Sequence, residues 1–93
     1  MFGLISQFMT TAEKRDALVQ ILLEGTRDMP GCVSYVVAKD AARSDALWVT
    51  EVWTDKASHA NSLKLPGVQE ALTKGRPLIT GLGVRIETFP VGV

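Results

Sequence analysis

Apolar and polar positions along the chain fall into blocks of two periods. Phe2 to Met9 (FGLISQFM) is an apolar run interrupted only by Ser6 and Gln7, which reads as a strand buried on both faces. Thr10-Thr11-Ala12-Glu13 follows with the spacing of a capping box and predicts a helix start. From about Thr11 to Asp28 the apolar period lengthens. Leu18, Ile21, Leu22, Gly25 and Met29 form one stripe, and Glu13, Arg15, Asp16, Gln20, Glu24 and Arg27 occupy the opposite side. Met29-Pro30-Gly31 stops that helix.

Cys32–Lys39 (CVSYVVAK) and Ala46–Trp53 (ALWVTEVW) predict two strands joined by the polar turn 40–45. A connection that short requires an antiparallel hairpin. Thr54 or Asp55 caps a short helix reaching about Lys64, and Leu65-Pro66-Gly67 breaks it. A further helical stretch from Val68 to Gly75 places Val68, Ala71 and Leu72 on one face, and Pro77 ends it. Gly83–Phe89 (GVRIETF) alternates as a last strand. The order β-α-β-β-α-β predicts one α+β domain over residues 1–93, the ferredoxin-like split β-α-β. Its four-stranded antiparallel sheet has the helices on one face.

The strands do not alternate as a half-wet sheet should. In the third, Leu47, Val49 and Trp53 share a face with Glu51, and Trp48 and Val52 share the other with Thr50. In the second, Val33, Tyr35 and Val37 are expected on one face and Cys32, Val36 and Ala38 on the other. Helices cover only one face, so the remaining apolar face predicts a homodimer packed sheet to sheet.

Charge and composition narrow the function classes. The chain has 93 residues, 10 basic and 10 acidic side chains and no strongly basic stretch, which argues against nucleic acid and anionic membrane as partners. One cysteine, Cys32, permits no internal disulfide. No run approaches a membrane span and no signal sequence is evident, so the expectation is a cytoplasmic protein. With His59 the only histidine, zinc, haem and iron–sulfur sites lack ligands. Nucleotide-binding and serine-hydrolase motifs are absent. If the chain is an enzyme, no metal or nucleotide cofactor is expected.

Trp53 ends a strand just before a helix cap, where a cavity between sheet and helix can open, and its indole N–H could orient a flat ligand. Glu51 shares its face and needs a partner there, Arg85 being one candidate, or a raised pKa. His59 is the only side chain titrating near neutrality unperturbed, which makes it the default proton shuttle. Ser62 lies one turn on, and Tyr35 could add a phenol. Each also has a plain structural reading: core packing for Trp53 and Tyr35, an ion pair for Glu51, helix surface for His59 and Ser62.

Glu51-Val52-Trp53, then Thr54-Asp55-Lys56-Ala57, then Ser62-Leu63-Lys64-Leu65-Pro66, together with Met29-Pro30-Gly31-Cys32 leading into Ser34-Tyr35, resemble the antibiotic biosynthesis monooxygenase family. The resemblance covers essentially the whole chain. It implies a dimeric α+β barrel and oxygenation of small electron-rich hydroxylated aromatics (quinols, naphthols, anthrones) by O2 without metal or flavin. Under it, His59 and Glu51 are the catalytic candidates, and Trp53, Tyr35 and Ser62 contact the substrate. Many relatives carry a histidine nine residues after the tryptophan and often another beyond the proline; here those positions are Ser62 and Gly67. Two other readings stay open, a dimeric small-molecule-binding or stress-response module without catalysis and an isomerase of a small hydroxycarbonyl compound.

Overall fold

The computed structural model describes residues 1–93. Its elements are β1 (Phe2–Thr10), α1 (Arg15–Gly25), β2 (Cys32–Lys39), β3 (Ala46–Trp53), α2 (Lys56–Ser62), α3 (Pro66–Gly75), a 3-10 turn (Arg76–Leu78) and β4 (Ile79–Thr88). The four strands form one antiparallel sheet in the order β2-β3-β1-β4. This is the ferredoxin-like α+β arrangement expected from the element order.

Three local expectations are corrected. Thr10 is the last, buried residue of β1 and its hydroxyl donates to the Thr11 carbonyl 2.7 Å away, so it caps no helix. Accordingly α1 starts at Arg15, behind Lys14, with no side-chain cap, and ends at Gly25 rather than near Asp28. Strand β4 begins at Ile79, four residues before the alternating segment, because β1 is long enough to pair with it as far as Thr10. In β2, Val33 is the extra residue of a bulge between Cys32 and Ser34. The bulge reverses the expected facing at the strand's start: Cys32 lies opposite Trp53 and packs on the inner core, and Val33 is exposed.

Asp55 does cap α2, its carboxylate accepting from the Ser58 N–H at 2.7 Å. Pro66 occupies the first turn of α3, where its missing N–H costs nothing. Helices α1 and α3 meet at Gly25 and Gly67. A Cβ on Gly25 would lie 2.5 Å from the Ala71 Cβ and 2.8 Å from the Gly67 carbonyl oxygen. Two glycines and an alanine thus let the backbones touch.

The core has two parts. Leu18, Leu47 and Val49 hold α1 against β3. Phe2, Leu4, Met29, Trp53 and Val68 form the second cluster, against which Cys32, Tyr35 and Leu65 pack. The helices cover β2, β3 and β1 and leave β4 open; Leu82 to Glu87 are all exposed. No helix is long and apolar enough to cross a membrane.

Candidate active site

A cavity of about 230 Å³ opens between the inner face of the sheet and helices α2 and α3. The alternation of each strand selects its floor. Leu4, Ser6 and Phe8 come from β1, Tyr35 from β2, Glu51 and Trp53 from β3, and Arg85 from β4. Its roof is supplied by His59 and Ser62 of α2, Leu63, and Val68, Ala71 and Leu72 of α3. All five site residues expected from the sequence therefore line one cavity.

Trp53 is completely buried and donates from Nε1 to the Glu51 Oε1 at 3.1 Å. Period-2 alternation sets this pair on one strand face. His59 packs its ring against Phe2 (centroids 5.4 Å apart) and edge-on to Trp53 (5.6 Å, 69°). Its Nε2 lies 3.9 Å from the Glu51 Oε1. That is beyond a hydrogen bond, so in the tautomer protonated on Nδ1 the Nε2 lone pair is free toward the cavity.

Burial moves the two groups in opposite directions. It raises the Glu51 pKa, against the opposing pulls of the Trp53 hydrogen bond and the Arg85 charge. It lowers that of His59, assisted by Arg85 and Lys56 and opposed by Glu87. A histidine already below its ordinary value is neutral at pH 7, the form that accepts a proton. Tyr35 lies opposite Glu51 on β2, and burial, followed by the Glu51 and Cys32 charges, pushes its phenol far up, so it acts as a neutral donor.

Ser62 is buried, and its hydroxyl donates to the His59 carbonyl at 2.6 Å. Its proton is committed to the helix, and only its lone pairs face the cavity. Of the alternatives open for Glu51, the ion pair with Arg85 does not form and the raised pKa holds. Glu51 is held by Trp53, and the carboxylate closest to Arg85 is Glu87, at 4.0 Å. Ser6, Arg85 and Leu72 were missed as cavity residues. The signal for Ser6 was present in the sequence, as the polar residue between Leu4 and Phe8 on the inward face of β1. No group of three or more His, Cys, Asp or Glu side chains is placed to hold a metal ion.

The family model described as antibiotic biosynthesis monooxygenase matches residues 1–74. No curated protein matches the sequence. Among solved structures, a Chloroflexus aurantiacus J-10-fl protein provisionally named an antibiotic biosynthesis monooxygenase is 53% identical; the match covers 99% of this chain and 94% of that one at a TM-score of 0.96. A similarly named Deinococcus radiodurans protein is 26% identical over 100% of this chain and 95% of that one, at a TM-score of 0.82. A Nitrosomonas europaea protein shares the fold alone, with 9% identity, a TM-score of 0.88 and coverage of 99% and 100%. The matched segment runs from β1 to the last turn of α3 and holds every cavity residue except Arg85, and the chain belongs to the antibiotic biosynthesis monooxygenase family.

Proposed function

We propose that the protein is a cofactor-independent monooxygenase acting on a small hydroxylated aromatic of the quinol, naphthol or anthrone type. The observation that carries this reading is the cavity itself: an apolar slot with a neutral imidazole facing a buried carboxylate across 3.9 Å.

The chemistry follows from those groups. His59 Nε2 takes the proton of the substrate hydroxyl, and the electron pair left behind is delocalised onto a hydrogen-bearing ring carbon ortho or para to it. That electron-rich carbon reduces O2, forming one C–O bond and a peroxide, to which His59 returns the proton. The same imidazole then removes the remaining proton on that carbon. The C–O bond becomes a carbonyl, the O–O bond breaks, and the departing hydroxide leaves as water with that proton. Substrate and O2 give quinone and water, and no other reductant is needed. Glu51 stabilises the transient imidazolium from 3.9 Å, Trp53 fixes Glu51, and Tyr35 adds a neutral donor at the floor. The apolar walls keep the anion poorly hydrated and reactive.

This assignment uses a histidine three residues before the position that carries it in many relatives. Position 62 is a serine whose hydroxyl turns inward to the helix backbone, and position 67 is a glycine closed by contact with Gly25. His59 fills the gap by packing over Phe2 and Trp53.

The proposal includes a homodimer. The face of the sheet away from the helices carries Ile5, Val36, Trp48, Val52 and Ile86, of which Val36 and Ile86 are 51% and 48% exposed. A second copy about a two-fold axis would cover it.

Oxygen uptake by the purified, chelator-treated protein, without flavin, over a panel of quinols, naphthols and anthrones tests the enzyme reading. Uptake above autoxidation that falls about 10²–10⁴-fold in His59→Gln is expected. Uptake unaffected by that substitution refutes the mechanism. Saturable binding of the panel without uptake makes the protein a binding module.

A further inference from the structure

The cavity has one side the helices do not close, along β4. Two cross-strand neighbours look into it there. Ser6 of β1 and Arg85 of β4 are paired in register and both line the cavity. Neither side chain is used by the fold. Ser6 is only 8% exposed, yet its hydroxyl makes no hydrogen bond within the protein. The Arg85 guanidinium has five donors and no hydrogen-bonded acceptor; its nearest carboxylate oxygen, on Glu87, stands at 4.0 Å. A hydroxyl that reaches the cavity without a protein partner and a planar cation on the neighbouring strand are the equipment of a site for a negatively charged oxygen.

The charges around this rim point the same way. Glu87 is shared between Arg85 and Lys56, which lies 3.4 Å from it, so neither cation has that carboxylate to itself. Lys56 also rests over the Phe2 ring, 5.8 Å from its centroid. Other titratable groups facing the cavity are Glu51 on the floor, held by Trp53, the Tyr35 phenol, and His59 on the roof. The Arg85 charge is felt at both Glu51 and His59, which places it within electrostatic reach of the oxygen that His59 deprotonates.

We propose that Ser6 and Arg85 hold the ionised oxygen of the bound aromatic, and that they thereby select ligands with an acidic hydroxyl over neutral rings of the same shape. The inference rests on the monooxygenase reading of the cavity and adds what that reading lacks, a group that stabilises the anion once its proton has gone to His59. Ser6 donates one hydrogen bond from the floor, and Arg85 donates from the open side. Its side chain is 58% exposed, so solvent screens part of the effect and a moderate rather than a large selectivity follows.

The test uses two fluorescent probes of matched size, 2-naphthol and its neutral analogue 2-methoxynaphthalene, titrated into the full-length protein across pH. The expected result is that bound 2-naphthol ionises about one pH unit below the free compound, equivalent to roughly tenfold tighter binding of the naphtholate. Arg85→Gln and Ser6→Ala should each return that pH toward the free value and leave the affinity for 2-methoxynaphthalene unchanged. Glu87→Gln, which frees Arg85 and removes a negative charge, should lower it further. Arg85→Gln lies on an exposed strand position, so the variant is expected to fold. If both variants leave the ionisation of bound naphthol where it is in the native protein, or if the two probes bind alike at every pH, the inference is overturned while the cavity remains a binding site. If neither probe binds the native protein, the proposed function falls and the inference with it.

Discussion

Trp53→Phe isolates the hydrogen bond on which the site is built. The ring of Trp53 is wholly buried, and its Nε1–H is the donor that holds Glu51. Phenylalanine keeps an aromatic ring in the slot but removes the outer part of the indole and the N–H. The lost apolar area is worth about 1–1.5 kcal/mol. The carboxylate left without its donor adds about 1.5–3 kcal/mol. A loss near 3 kcal/mol at pH 7 is therefore expected, a fall in Tm of about 12–24 °C for a domain of this size.

The pH dependence separates the two parts. Burial has already raised the Glu51 pKa above its unfolded value, and losing the Trp53 hydrogen bond raises it further. A carboxyl group shifted upward contributes stability that is present below the unfolded pKa and lost as pH rises through the folded one. Below the native protein's folded pKa, Glu51 is neutral in both proteins, and the difference between them shrinks to the packing part. It grows as pH rises through the two folded pKa values. Denaturant unfolding of the native protein, Trp53→Phe, Glu51→Gln and the double variant, at pH 4 and pH 7.5, measures this. A loss that is the same at both pH values and additive with Glu51→Gln would refute the argument.

Four further outcomes follow. Glu51→Gln alone should stabilise the protein at pH 7.5 and lose that advantage at pH 4, because it removes a buried carboxylate whose folded pKa is raised; thermal unfolding at the two pH values decides. In the pH profile of kcat/KM, the acid limb should lie below the ordinary histidine value and move up in Arg85→Gln, since burial and then the Arg85 charge depress the His59 pKa; an acid limb that stays in place would remove His59 as the base. Gly25→Ala should destabilise by about 1–3 kcal/mol despite the better helix propensity of alanine, and Ala71→Gly in the same chain should restore only part of the loss, because it removes the Cβ contact at 2.5 Å and leaves the Gly67 carbonyl oxygen at 2.8 Å; urea midpoints test this. Val36→Arg on the outer sheet face should convert a dimer to monomer in analytical ultracentrifugation, and a native protein that sediments as a monomer at micromolar concentration would exclude the dimer.

Much of this architecture was legible because strands and short helices announce themselves by period and by punctuation. Asp55 and Pro66 marked helix boundaries that hold to within a residue or two, and Met29-Pro30-Gly31 marked the start of β2, although α1 ends earlier, at Gly25. The errors lie where a local signal met a tertiary one. Thr10-x-x-Glu13 has the spacing of a cap, but pairing with β4 keeps Thr10 in the sheet, and a hydroxyl inside a ladder cannot cap a helix. The Val33 bulge was invisible because both candidate faces of β2 are apolar, so a one-residue slip leaves no polar residue in the wrong place. Tyr35, Glu51 and Trp53 share the cavity floor because their strand parity was readable, and His59 and Ser62 meet them from α2, three residues apart on one helix face. Arg85 stood as one candidate partner for Glu51 because charge matching takes no account of the indole that reaches the carboxylate first.

That displacement has a chemical consequence. A salt bridge between Glu51 and Arg85 would have neutralised both groups and left the cavity with a single working side chain, His59. Trp53 satisfies Glu51 without cancelling its charge, and Glu87, shared with Lys56, only loosely engages Arg85. The cavity thereby retains an anion beside the imidazole and a cation at its mouth. Proton abstraction needs the first when the imidazolium forms, and the aromatic anion needs the second at the same moment. A neutral hydrogen-bond donor on Glu51 keeps both charges available. Its removal in Trp53→Phe leaves the carboxylate unpaired and its pKa higher, and leaves Arg85 free for the aromatic anion. The naphthol ionisation pH in that variant should therefore not rise as it does in Arg85→Gln. A rise of the same size would show that Glu51 turns to Arg85 once the indole is gone, and would refute the argument.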